Sequence, residues 1–261
     1  SYFYSKNGEF NFELLNNIDA FPSERFFKNY PDSFSKPEDT SKYWIKEQIK
    51  KNQSGKITFF KTHNAICKIN GNSFTDKHNS LGAIYIVRDP RNIVSSLAHH
   101  YQISNEEAFE FMLEEKKGII TKKNGRYIGF QSLFSWQTNQ NSWINNKLFP
   151  VLTVRYEDFE IETFITFKKV IDFINKIMGA KIPFNKEKAK NCIKSCEFNK
   201  LKKMEEQKGF AEAVIKKNSS EKLKFFRMGK DNNYKNLLDK NLIEKINQKF
   251  SNQIQKFNYG L

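Results

Sequence analysis

Ala83-Ile84-Tyr85-Ile86-Val87-Arg88-Asp89-Pro90-Arg91-Asn92 is the stretch whose reading decides the fold. Its apolar half is rich in β-branched and aromatic residues and too short for an ordinary helix, so it is predicted to be a buried strand. Asp89 is a good helix N-cap and Pro90 suits the first helical position. A helix is therefore predicted to start there and run through Ile93, Val94 and Leu97 to about His100. A strand feeding a helix is the unit of an open α/β sheet, where ligands sit outside the carboxyl ends of the strands. Arg88 leaves that tip, and Ser96 lies about two helical turns further in. Two readings follow. The guanidinium and the hydroxyl share a phosphate near the helix N-terminus, or Arg88 pairs with a surface carboxylate and Ser96 is a solvated helix residue.

Working outward, Ile57-Thr58-Phe59-Phe60 reads as a second short strand, ending in Lys61-Thr62-His63-Asn64. Residues 151–155 read as a third, ending in Tyr156-Glu157-Asp158. Helices are predicted over 37–52, over 104–116 behind the capping box Ser104-Asn105-Glu106-Glu107, and over 131–147. Further helices are predicted over 164–178, 186–196 and 197–207, with a last one after Asp239. Residues 1–7 read as the tail of a helix already under way, 66–80 as a loop, and 209–235 as a long loop of the kind that is usually functional. Strands alternating with helices predict an α/β domain, a parallel sheet flanked by helices, over residues 1–261.

The 44 basic and 29 acidic residues give a formal charge of +15, which favours anionic partners. The lysines are scattered and not gathered on one arm, so nucleic acid is a weak reading of that charge. Arginine is scarce: Arg25, Arg88, Arg91, Arg126, Arg155 and Arg227 are all there are. A chain that otherwise uses Lys keeps Arg where a planar, bidentate donor matters. Cys67, Cys192 and Cys196 are odd in number with no paired spacing, which argues against a disulfide framework and for a reducing compartment, the cytoplasm. Cys192 and Cys196 share a helical stripe with Ala189 and Ile193, a core pattern more than a metal pattern. No apolar run approaches the roughly 18 residues of a membrane span, and no signal peptide is visible. His99 and His100 read as helix-end residues favoured by the C-terminal dipole. Gln53-Ser54-Gly55-Lys56 precedes a strand, the wrong context for a phosphate loop.

Taken in order, the strand tips resemble a known family. Lys61-Thr62-His63-Asn64, Tyr85 through Asn92 with Ser96, Arg155-Tyr156-Glu157-Asp158, and Phe225-Phe226-Arg227-Met228-Gly229 with Tyr234-Lys235 are similar to motifs of sulfotransferases of the cytosolic and bacterial type. The resemblance covers residues 57–261. It implies a fold like that of P-loop nucleotide hydrolases. It also implies metal-free sulfonate transfer from 3′-phosphoadenosine 5′-phosphosulfate to an acceptor hydroxyl or amine of a small molecule, glycan or lipid.

Carried over by motif, the resemblance makes Arg88, Ser96 and Arg227 ligands of the nucleotide 3′-phosphate. Tyr156 and Phe198 match adenine contacts, and Met228 and Gly229 match backbone contacts near the 3′-phosphate. His63 matches the general base, and Lys61 a cation beside the transferring group. The sequence departs from the family pattern at Met228, where a second basic residue is usual, and at Asn233-Tyr234-Lys235. It also lacks the strand and loop that bind the 5′-phosphosulfate, which in the family precede what is residue 1 here, so an N-terminally truncated domain is expected. Two other functions stay open: a catalytically silent relative that holds the nucleotide, and a basic nucleic-acid-binding module.

Overall fold

The computed structural model describes residues 1–180 and 182–260. Strand β1 (Ile18–Ala20) leads through α1 (Glu24–Phe27) and a 3-10 turn at Pro37–Tyr43 to α2 (Trp44–Asn52). Strands β2 (Phe59–Lys61), β3 (Lys68–Ile69), β4 (Asn72–Ser73) and β5 (Ala83–Val87) follow, then α3 (Pro90–Tyr101) and α4 (Asn105–Leu113). Next come β6 (Gly118–Lys123), β7 (Arg126–Ser132), α5 (Trp136–Ile144) and β8 (Val151–Arg155). The chain then turns helical: α6 (Tyr156–Ile161), α7 (Thr163–Ile177), α8 (Lys186–Ser195) and α9 (Phe198–Lys208). Past a long connection come α10 (Tyr234–Leu237), α11 (Lys240–Lys249) and α12 (Ser251–Lys256).

The site depends on two parallel pairs. β1 pairs with β2, Ile18 opposite Phe59, and β5 pairs with β8, Val87 opposite Arg155. That second register sets the polar tips after Val87 and Arg155 side by side. Among the described residues β2 and β5 each have one hydrogen-bonded strand partner, and Ile86 of β5 is 55% exposed. Both pairs rest on one aromatic cluster. Phe60, Tyr85 and Val151 pack against Phe21, Trp44, Phe74 and Trp143. Trp44 is fully buried, and truncating such a ring costs about 3–5 kcal/mol. A second cluster joins α3 and α4 to the C-terminal helices through Val94, Phe109, Leu242, Ile246, Phe250 and Ile254.

β5, β8 and α3 form as predicted: Asp89 caps α3 by accepting the Arg91 N–H at 2.9 Å. The sequence reading fails between residues 116 and 135. β6 and β7 form an antiparallel hairpin where no strand was predicted and a helix was expected from residue 131. Asn124 and Gly125 both have positive φ, +49° and +77°, as the tight turn of a two-stranded ribbon requires. The helix begins only at Trp136, capped by Ser135. Residues 1–7 form turns instead of a helix tail, because Tyr2 is drawn into a cluster with Ile171, Ala189 and Cys192. Cys192 is buried as expected, whereas Cys196 is exposed just past α8.

Candidate functional site

The register of β5 on β8 determines the first half of the site. Arg88 and Tyr156 follow opposed residues, so the guanidinium carbon lies 4.3 Å from the centre of the Tyr156 ring. Arg88 Nη1 reaches Ser96 Oγ at 3.4 Å, a long contact, and its buried Nε has no hydrogen-bond partner. Buried donors of this kind are uncommon and costly. Burial raises the Tyr156 hydroxyl above the usual tyrosine pKa, and the Arg88 charge works against that rise.

Ser96 is held from the other side by a residue the sequence reading did not single out. Asn232 Nδ2 donates to Ser96 Oγ at 2.8 Å and to the Asn92 carbonyl at 3.2 Å, while its Oδ1 accepts from Ser95 Oγ at 2.6 Å. Tyr234 N–H donates to Asn92 Oδ1 at 2.9 Å. The chain after residue 228 is thereby fastened along α3. Nothing local in the sequence marks Asn232, since its partners lie some 140 positions away.

The loop before it is fixed by another unheralded residue. The buried carboxylate of Glu205 on α9 accepts the N–H groups of Phe225 at 2.7 Å and Phe226 at 3.0 Å. Arg227 then stands exposed with Nη1 at 3.4 Å from His99 Nδ1. Met228 caps a 3-10 turn that starts at Gly229. Gly229 has φ +56°, and a Cβ there would sit 3.0 Å from the Phe198 ring. Glycine is thus required both by conformation and by close approach. Phe198, the first residue of α9, so has one face covered by backbone.

Lys61 and His63 form a separate group at the tip of β2. Lys61 Nζ pairs at 2.5 Å with Glu212, which comes from the long connection after α9; both side chains are well exposed. The His63 backbone is clamped on both sides: its N–H donates to Gln131 Oε1 at 3.2 Å, and its carbonyl accepts from Asn139 Nδ2 at 3.0 Å. Buried Asn64 braces the next residue, accepting Ser132 N–H at 2.7 Å through Oδ1 and Trp143 Nε1–H at 3.0 Å through its carbonyl. His63 is exposed overall, yet protein around the imidazole lowers its pKa below the usual histidine value, and Lys61 pushes the same way. Gln131 and Glu212 oppose this, and His100 of α3 adds a smaller downward push.

The structure therefore brings Arg88, Ser96 and Tyr156 into contact, sets Arg227 beside the same helix, and lays Gly229 on Phe198. Among the described residues no hydrogen bond or ion pair joins Lys61 or His63 to that group; His100 is the element of α3 that the two share electrostatically. The scarce arginines divide. Arg91 and Arg155 bind the C-terminal segment, donating to the carbonyls of Tyr259 at 2.9 Å and Phe257 at 2.8 Å, while Arg88 and Arg227 stay underused. Among the described residues no cluster of side chains suited to a metal ion occurs.

A family model for the sulfotransferase domain matches residues 15–258. A flavonol 3-sulfotransferase from Flaveria bidentis is 30% identical over 176 residues, which cover 63% of this chain and 52% of that protein. Cytosolic sulfotransferase 12 from Arabidopsis thaliana is 26% identical over 175 residues, 66% of this chain and 49% of that protein. The chain spans about half the length of the curated relatives it matches. Because the family match takes in all of the strand tips described above, this chain belongs to the sulfotransferase domain family.

Proposed function

We propose that this chain binds 3′-phosphoadenosine 5′-phosphosulfate and serves transfer of its sulfonate to an acceptor hydroxyl or amine. The observation that carries this reading is Arg88, a half-buried arginine whose buried Nε is unpartnered and whose Nη1 reaches Ser96. An anion with several acceptor oxygens would satisfy those donors; a phosphate on the ribose is such an anion. Arg88, Ser96 and Arg227 bind that phosphate in this reading. Tyr156 and Phe198 take the adenine, and the backbone at Met228 and Gly229, which lies against the Phe198 ring because Gly229 has no Cβ, lines the same phosphate.

The nucleotide, when bound, supplies an activated sulfonate and leaves as adenosine 3′,5′-bisphosphate. His63 takes the acceptor proton as the new bond to sulfur forms, and its lowered pKa keeps the ring neutral and able to do so near pH 7. Lys61 offsets negative charge around the transferring group once Glu212 releases it. The acceptor class is a small hydroxylated molecule, in line with the flavonol in the Flaveria relative's name. Gln131 on β7 touches His63, so the β6–β7 hairpin borders the acceptor side. The cytosolic name of the Arabidopsis relative supports a cytoplasmic setting, and no described helix is long and apolar enough to cross a membrane.

Calorimetry with two nucleotides tests the reading. Adenosine 3′,5′-bisphosphate should bind more tightly than adenosine 5′-monophosphate, with charge-assisted bonds contributing roughly 1.5–3 kcal/mol each. An Arg88→Ala/Arg227→Ala double variant should lose that preference. Equal affinity for the two nucleotides in the unaltered chain would refute it.

A further inference from the structure

His99 stands between the two halves of the proposed phosphate site. It lies three residues after Ser96 on α3, so the two share a helix face with about 5–6 Å between Cβ atoms. Its Nε2 is 3.3 Å from the Lys224 carbonyl and its Nδ1 is 3.4 Å from Arg227 Nη1. A carbonyl only accepts and a guanidinium only donates, so one arrangement meets both demands: a neutral ring with its proton on Nε2 and its lone pair on Nδ1. Lys224 is itself tied down, its ammonium paired with Glu206 at 2.8 Å and the next two N–H groups held by Glu205. His99 therefore has a fixed partner on one side and an exposed arginine on the other.

We infer that His99 is a positioning residue that fastens the 224–227 segment to α3 and aims Arg227 at the space shared with Arg88 and Ser96. This rests on the reading of that space as a 3′-phosphate site. An exposed arginine loses side-chain freedom when it binds an anion, and a partner that restricts it beforehand lowers that cost. His99 restricts Arg227 through one long contact to an uncharged ring, weaker than the guanidinium's contact with a phosphate.

The test is calorimetry of adenosine 3′,5′-bisphosphate and adenosine 5′-monophosphate against single and double variants. His99→Ala should weaken bisphosphate binding by about three- to tenfold and leave the monophosphate unchanged. His99→Gln, whose carboxamide both donates and accepts, should recover most of the loss. In an Arg227→Ala background, His99→Ala should have no further effect. Losses that multiply in the double variant would overturn the inference, as would equal weakening of both nucleotides by His99→Ala. An Arg227→Ala variant that weakens the bisphosphate while His99→Ala does not would remove the positioning role alone. Unchanged bisphosphate binding in Arg227→Ala would remove the phosphate reading of Arg227 as well.

Discussion

Arg88 and Arg91 stand three residues apart at one strand tip, and their surroundings treat them in opposite ways. Arg91 is fully buried with its donors engaged: a two-point pair with Asp89 at 2.9 and 2.7 Å, Asn247 at 3.2 Å and the Tyr259 carbonyl at 2.9 Å. The Tyr234 ring lies 4.2 Å beneath it. Arg88 has one long contact to a hydroxyl, an aromatic ring, and an orphaned Nε. One side of the α3 N-terminus is closed upon the chain's own C-terminal segment, and the other is left with unused donors. A satisfied arginine is scaffold, and an underused one beside it marks where a ligand's oxygens belong.

The largest effect should come from the closed side. Arg91→Ala leaves Asp89 buried without its partner and releases the chain at Tyr259, so it is expected to cost about 3–5 kcal/mol of stability. Chemical denaturation measures this directly. A loss below about 1 kcal/mol would erase the distinction between the two arginines.

Sequence could not draw that distinction. The strand, the Asp89 cap and Pro90 are local signals; β5 and β8 keep the predicted bounds, and α3 starts at Pro90 and ends one residue past the predicted His100. Arg91 is completed by Asn247 and Tyr259, and Ser95 and Ser96 are taken up by Asn232, all brought in from more than 130 residues away. Glu205, Asn139 and Gln131 escaped notice for the same reason, as side chains that act on distant backbone. The β6–β7 hairpin was a different kind of miss. Asn124-Gly125 between Ile119-Ile120-Thr121 and Tyr127-Ile128 is a strong ribbon signal. Residues 122–126 read as a polar turn without strands on either side, and the helical spacing of Leu133, Trp136, Trp143 and Ile144 started the predicted helix at 131, inside the end of β7.

On the open side, His63→Ala should lower sulfonate transfer by about 10²-fold or more while leaving bisphosphate affinity nearly unchanged. Rates with labelled nucleotide, set beside calorimetry, separate the two quantities. If affinity falls along with turnover, His63 is a structural strand-tip residue and the open side loses its base. Arg88→Ala should weaken the bisphosphate by about 10- to 100-fold yet leave stability within about 1 kcal/mol, because its Nε already lacks a partner. That is the mirror image of Arg91→Ala. A large stability loss here would show that Arg88, too, is scaffold.

The smallest expected effect lies at the tip of β2, where the open side has its own internal anion. The Glu212 carboxylate pairs with Lys61 and raises the His63 pKa, while burial and Lys61 lower it and prevail. In Glu212→Gln the opposing carboxylate is gone and the Lys61 ammonium is no longer neutralised, so both changes push the His63 pKa further down. The shift should be small, because Lys61 and Glu212 are well exposed and water screens them. A general base works only when unprotonated, so transfer in the unaltered chain should fall off on acidification below the usual histidine value. In Glu212→Gln that acid limb should move to still lower pH. Nuclear magnetic resonance titration of the His63 ring measures the shift without relying on turnover. An unchanged value would mean that Glu212 does not act on His63 in solution, and that Lys61 is free to meet an incoming anion from the start.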